Sequence, residues 1–315
     1  MSVEVLVPGL QTTIQAGARV GMRHLGVPAS GAADPLSLAL ANRLLGNDLL
    51  APALEVTLVG PTLRFNAATT IALTGGVAQA TLGGEPIEFH STNIVNQGDE
   101  LSIAAVEIGT RVYVAFAGGL QAQEMLGSCS TYMAAGFGGH QGRALVEGDV
   151  LQLRKQNTST AVAHTPEEYR LAISSTWALR ICRSAESDLL QDEQLSELTN
   201  TNWIIGRRAD RMGMQLDGPM ISVLSDGRMS SAPVFPGTIQ CPGNGSPFML
   251  SVDAGTTGGY PRIAQVARAD RHLLGQLRPG DHVRFLPRQP QEAIDGLHAK
   301  HTYWREWLPG IERII

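Results

Sequence analysis

The chain has 315 residues, 43% apolar and 17% charged, with 35 glycines and 17 prolines. At about 100 to 200 residues per domain this is two domains or one large one, and few charges with many turn formers favour strands over long helices. A formal net charge of -5 without long charge runs leaves no electrostatic footprint for nucleic acid, and Arg207-Arg208 is too short a run to make one.

The amino-terminal stretch MSVEVLVPGLQTTIQAG lacks the basic start and apolar block of an export signal. No apolar run reaches membrane-spanning length, so a cytoplasmic protein without membrane contact is expected. The first helix is predicted from Asp34-Pro35 to Gly46-Asn47: aspartate caps free amides, proline suits the first helical position, and Leu36, Leu40 and Leu44 share one face. Strands are expected over 53–65, 70–76 and 110–119, broken at glycine and proline. One device recurs, a Gly-Asp pair before an alternating run, at Gly98-Asp99, Gly148-Asp149 and Gly280-Asp281. Each reads as a turn feeding a half-buried strand.

The polar, patternless stretch 154–170 suggests an N-terminal β domain over 1–155, a linker over 156–169 and a C-terminal β domain over 170–315. Beyond the linker, a strand over 177–182, a helix over 187–199 and strands at GTIQCP and FMLSVDA are predicted. Short helices near 270–277 and 291–300 complete the outline. Cys129, Cys182 and Cys241 are odd in number and more than fifty residues apart, which fits neither a disulfide framework nor a metal knuckle.

Few residues declare a chemistry alone. The loop VDAGTTGGYPRIA (252–264) has no lysine and so is no Walker loop, and GFGGHQG (136–142) misplaces the third glycine of a dinucleotide fingerprint. Either loop is a turn or a ligand contact. Ser128 lacks a nucleophile elbow and a histidine partner. His298 and His301 lie three apart on a predicted helix with no third ligand, and no metal site is assigned. Asp34, Glu55 and Asn42 suit buried backbone groups equally well, and Arg211 is either a carboxylate fork or the partner of a nearby aspartate.

The order of motifs is more telling. TTIQAGARVG (12–21), GVPASGAAD (26–34), ANRLLGN (41–47), LEVTLVGPTLRF (54–65) and IALTGG (71–76) are followed by AGGLQ (117–121), LGSCSTY (126–132) and GGHQGRAL (138–145). Then come DRMGMQL (210–216), GTIQCPGNGSPFML (237–250) and TTGGYPRIAQV (256–266). In this order they resemble the allophanate hydrolase subunit 2 family, also called the biotin-dependent carboxyltransferase-like family, which includes the C component of bacterial 5-oxoprolinase. The resemblance implies a mainly β fold of two β-barrel, cyclophilin-like halves with a few short helices.

It also implies partners: an allophanate hydrolase subunit 1-like protein, which is the B component of 5-oxoprolinase, and a protein like the A component of 5-oxoprolinase. These act together on a small amide or lactam with shared ATP. Under the carboxyltransferase alternative, carboxybiotin comes from a partner, since the chain has no Met-Lys-Met attachment motif. A third reading is a non-catalytic, regulatory partner of a kinase-inhibitor-like protein. The candidates the resemblance carries forward are Arg211, Thr257 and Tyr260 for catalysis. For substrate binding they are Arg19, Asp34, Asn42, Glu55, Ser128, Gln240, Thr256, Gly258 and Gly259. Three departures stand out: Ala16 where the family has aspartate, Gln215 where it has arginine, and Gly255 where it has glutamine. Together they remove a carboxylate, a guanidinium and a carboxamide.

Overall fold

The protein is described by a computed structural model covering residues 1–154, 163–224 and 229–315. The chain divides into two units, one of Met1–Arg19, Ser30–Ile173 and Trp304–Ile314, the other of Val20–Ala29, Ser174–Tyr303 and Ile315.

In the first unit, alternation builds two antiparallel sheets. Ser2–Val7 buries Val3 and Val5 and lies between Val150–Gln152 and Thr62–Phe65, followed by Glu100–Ile103, Ala80–Leu82 and Glu85–Pro86. The second sheet runs Gln11–Gln15, Ala53–Thr57, Ile108–Phe116, Thr69–Val77 and Thr92–Val95. Val3, Val5, Leu63 and Phe65 from one sheet and Leu54, Val56, Ile71, Val112 and Phe116 from the other form a single apolar cluster. Tyr113 and Ala115, on the opposite face of the central strand, pack with Leu38 and Ala41 of the helix Pro35–Leu44. Covered on both faces, Ile108–Phe116 is buried at every residue but the first, which explains the unbroken apolar run Val112–Phe116.

The helix begins as predicted, with Pro35 in its first turn and Asp34 accepting from the Ser37 amide at 3.0 Å. It buries eight of its ten residues rather than one leucine face, as an all-round apolar helix does.

In the second unit, seven strands close a barrel in the order Thr176–Arg183, Arg262–Val266, Thr238–Gln240, Phe248–Leu250, Gly213–Asp217, Asn202–Ala209 and His282–Pro287. Closure is made by the parallel pairing of Thr176–Arg183 with His282–Pro287. The mainly β expectation is borne out, with closure in the second unit and two open sheets in the first.

The Gly-Asp device has one physical basis at all three sites. The glycine takes φ of +93°, +85° and +95° at Gly98, Gly148 and Gly280, a region that only glycine enters cheaply. The aspartate then accepts from the amide three residues back: Asn96 to Asp99 at 2.7 Å, Val146 to Asp149 at 2.8 Å and Arg278 to Asp281 at 3.2 Å. Asp281 also accepts from the Trp177 indole at 2.8 Å, tying its turn to the barrel core.

Three expected elements differ in detail. The helix predicted over 187–199 is a 3-10 turn, Ser187–Leu189, and a separate helix, Asp192–Asn200; between them Leu190 and Gln191 are extended and Leu190 is buried. The segment predicted over 270–277 is a 3-10 run, Arg268–Gln276, whose Asp270 engages Arg180. The last helix extends to Pro290–Arg305.

Of the expected linker, residues 156–162 lie outside the described residues. The remainder is built into the first unit, where the Ala163 amide donates to Thr92 Oγ1 at 2.9 Å and Tyr169 stacks on Trp307 at 6.1 Å. No helix among the described residues is long and apolar enough to cross a membrane, and Cys129, Cys182 and Cys241 are free thiols.

The turn at Asp149 generates a pH prediction. Its two oxygens accept from Arg143 at 2.7 and 2.8 Å, and this hydrogen bonding holds the carboxyl well below the usual carboxylate range. The stabilisation is complete above the unfolded value of about 4 and is lost as pH falls toward the depressed folded value. Asp149→Asn is expected to cost about 1–3 kcal/mol at pH 7 in urea denaturation, with the gap to the parent narrowing below about pH 4.

Candidate functional site

The 252–264 loop is organised from beneath by a buried ion pair. Arg211 Nε and Nη2 donate to Asp253 at 2.7 and 3.0 Å, and both side chains are almost fully buried. The Asp253 amide donates to the Arg211 carbonyl at 2.8 Å, which closes the contact through the backbone. Of the two readings of Arg211, the structure places the aspartate partner; its fork is engaged on the chain's own carboxylate and positions the loop.

From this anchor the chain leaves as a two-residue strand. Thr257–Gly258 pairs with Ala232–Pro233, the Val234 amide donates to the Thr256 carbonyl at 3.1 Å, and the Met229 amide donates to the Gly259 carbonyl at 3.0 Å. Buried Gln240 donates from Nε2 to the Tyr260 carbonyl at 3.1 Å, so its amide holds backbone. Gly258 gives room to Gln240: a Cβ there would stand 2.5 Å from its Nε2, so the carboxamide would have to shift. Neither Gly255, Gly258 nor Gly259 has positive φ, so this stretch is a ladder rather than a glycine turn. Thr257 is exposed, Tyr260 is 45% exposed, and Thr256, Gly258 and Gly259 are half-buried.

Sequence reasoning missed Arg23. Its guanidinium donates to the Val234 carbonyl and, at 3.4 Å, to the Thr256 carbonyl, and lies 4.8 Å from the centre of the Phe235 ring. Partial burial lowers its pKa. Arg23 stands between two of the matching motifs, and only the fold brings it to the 256–260 strand.

Beside that strand a concavity of about 490 Å³ is lined by Gly255, Ala254, Met212, Phe248 and Leu250 and by residues 207–210. Gly255 is exposed, and a Cβ there would meet only the Thr257 carbonyl at 3.5 Å, so a longer side chain fits. Gln215 donates to Ser246 at 3.3 Å. A larger, mostly apolar concavity of about 750 Å³ lies where Cys182, Leu195, Ile263 and Pro290 converge, and no predicted site residue lines it.

The remaining candidates belong to the first unit and serve its scaffold. Glu55 Oε2 accepts from the Ala33 amide and the Tyr113 hydroxyl, each at 2.8 Å, and Oε1 lies 3.2 Å from Arg111. Burial first, then the charges of Glu55 and Asp34, raise the Tyr113 phenol well above its ordinary range and keep it a donor. Asp34 caps its helix, while Asn42 holds the Ala51 carbonyl at 3.0 Å and accepts from Asn47 at 2.9 Å. Ser128 donates to the Gly17 carbonyl at 2.6 Å. Arg19, fully buried, donates to the Met125 and Ser130 carbonyls at 2.8 and 3.0 Å, with its guanidinium 4.9 Å from the Phe137 ring centre. The departing Ala16 is buried, its amide donating to Ser130 Oγ at 3.0 Å. His301 Nε2 faces the Ile315 carbonyl at 2.8 Å while His298 is exposed, and no group of three metal-ligating side chains forms among the described residues.

With this geometry in place, comparison with known proteins identifies the class. Residues 25–287 match the family described as the carboxyltransferase domain, subdomain A and B. The chain belongs to this family, and the resemblance read from the motif order is borne out. It is 32% identical over 306 residues to the C component of 5-oxoprolinase from Escherichia coli (strain K12), covering 96% of this chain and 97% of that protein. It is 34% identical over 304 residues to urea amidolyase of Saccharomyces cerevisiae, covering 91% of this chain and 16% of the yeast protein. The crystal structure of K. lactis urea amidolyase matches with a TM-score of 0.90 at 31% identity, over 97% of this chain and 20% of that one. These relatives are named as parts of enzymes.

The split between anchors and exposed groups is testable. Arg211→Ala removes the guanidinium paired with the buried Asp253 carboxylate and is expected to cost about 3–5 kcal/mol in chemical denaturation, and Asp253→Asn, which removes the charged bidentate acceptor, about 1–3 kcal/mol. Thr257→Ala and Tyr260→Phe, at exposed side chains, are expected within about 0.5 kcal/mol of the parent.

Proposed function

We propose that the chain is one component of a heteromeric, ATP-dependent enzyme that opens a lactam, converting 5-oxoproline to L-glutamate. The observation that carries this reading is the end-to-end match with the C component of 5-oxoprolinase, over 96% of this chain and 97% of the relative. Amide resonance makes a lactam carbonyl a poor electrophile, so the site needs preorganised donors aimed at its oxygen. Thr257 and Tyr260 offer exposed hydroxyls on a strand held by Gln240, Arg23 and the ion pair below it, the kind of rigid support such donors require. Thr256 and the amides of Gly258 and Gly259 line the same strand as candidate substrate contacts.

The partners in this reading are proteins like the B and A components of 5-oxoprolinase, with the complex in the cytoplasm. ATP supplies the driving force for ring opening. The residues of the 252–264 loop do not fit a nucleotide site of their own: no lysine is present, and the Arg211 fork is engaged by Asp253. ATP therefore belongs to the assembled complex rather than to this loop.

A second reading, transfer of a carboxyl group to urea or a similar amide from a partner's carboxybiotin, is favoured by the family description and the match to urea amidolyase. Against it, the match covers only 16% of the yeast enzyme.

Mixing the chain with both partner proteins, ATP and 5-oxoproline is expected to yield glutamate, and omitting any one component to abolish it. Thr257→Ala and Tyr260→Phe are expected to lower kcat at least about tenfold, the loss of one well-placed donor, without shifting the melting temperature. Carboxylated urea formed with a biotinylated partner, in place of glutamate, decides for the second reading.

A further inference from the structure

The concavity beside Gly255 carries a feature that neither the motifs nor the loop explains. On a regular strand Arg207 and Arg208, being adjacent, would point to opposite faces. Here the barrel hairpin is irregular: Ile205 pairs with Leu216, but the next pairing is Ala209 with Met214, so four steps on one strand oppose two on the other. Such a bulge re-aims side chains. Both arginines line the one concavity, and both are exposed.

Their chemistry sets them apart from other arginines of the second unit. Arg211 grips Asp253, Arg180 grips Asp270 and Arg262 grips Glu186. No hydrogen bond or ion pair ties the Arg207 or Arg208 side chain to any described residue. The carboxylate in the same lining, Asp210, turns Oδ1 to the amides of Met212 and Gly213 at 2.7 and 3.2 Å. Met212, Phe248, Leu250 and Ala254 line the same concavity. A volume of about 490 Å³ suits a small molecule, and a planar fork suits a carboxylate better than a neutral amide.

From this arrangement we infer that the concavity binds a small organic carboxylate, held at its charged end by Arg207 and Arg208 and at its carbon skeleton by the apolar wall. Resting on the proposed function, the carboxylate is that of 5-oxoproline, a group urea lacks; the two arginines then select for an amino-acid-derived lactam. The anion site itself stands on the bulge and the concavity.

Titration calorimetry of the full chain tests it with four probes: 5-oxoproline, cyclopentanecarboxylate, neutral 2-pyrrolidinone and inorganic phosphate. Both carboxylates are expected to bind saturably, while 2-pyrrolidinone does not bind and phosphate does not displace them. Arg207→Gln and Arg208→Gln are each expected to weaken binding about tenfold, with the denaturation midpoint unchanged because both side chains are exposed. Equal binding of 2-pyrrolidinone, displacement by phosphate, absence of carboxylate binding, or unchanged affinity in both variants overturns the proposal. In the assembled complex, glutamate formation with an unaltered KM in both variants would sink this site while leaving the lactam-opening function standing. Arginine-dependent binding of cyclopentanecarboxylate without any turnover of 5-oxoproline would leave the site standing and remove that function.

Discussion

Taking a guanidinium and a carboxylate out of water costs several kcal/mol per ion, repaid only when geometry is good on both sides. Arg211 and Asp253 meet that condition with a bidentate pairing and a backbone bond between the same two residues. Their contact ties the turn after the arginine-bearing strand to the start of the 254–260 stretch. The concavity is lined from both sides of this joint, by residues 207–210, Met212 and Gly213 on one and by Ala254 and Gly255 on the other, so its shape depends on a bond that no ligand needs to touch. The 256–260 strand is then steadied by Gln240 beneath Tyr260 and by Arg23 against Thr256.

Most of the polar residues that motif order nominates prove to be engaged internally. Asp34, Glu55 and Tyr113 satisfy amides at the start of a helix buried nearly all round, where an unmet donor would be expensive. Arg19 and Ser128 join the 125–139 loops to the end of the second strand's run through backbone carbonyls. A motif marks a place in the fold as readily as a place in a reaction, and hydrogen-bond capacity separates the two. Thr257, Tyr260, Arg207 and Arg208 keep side chains open to solvent; Arg19, Asp34, Glu55, Gln240 and Arg211 do not.

Local chemistry made much of this legible in advance. Asp34-Pro35 states a helix start because capping and a fixed φ act within four residues, and Gly-Asp states a turn because the aspartate reaches only three residues back. What the sequence could not state is non-local. Arg23 meets Thr256 across more than two hundred positions, and Trp304–Ile314 belongs with the first unit although it follows the second unit's strands in sequence. The pairing of Arg207 with Arg208 in one concavity is hidden for a different reason: read with a period of two they point apart, and the bulge that unites them is a property of the register. The glycines of TTGGYP were misleading in the same way, since Gly258 gives room to Gln240 and Gly259 to the Met229 carbonyl, and neither takes an unusual torsion.

The parallel seam of the barrel has a consequence for how the second unit forms. His282–Pro287 lies between Thr176–Arg183 and Asn202–Ala209, so both of those strands are open edges until it arrives. Thr176 and His282 stand roughly a hundred residues apart, and closing so long a loop defers its reward until the rest of the sheet is in place. During synthesis the barrel therefore waits on one late strand, and a chain arrested before residue 282 presents two unsatisfied edges to its neighbours.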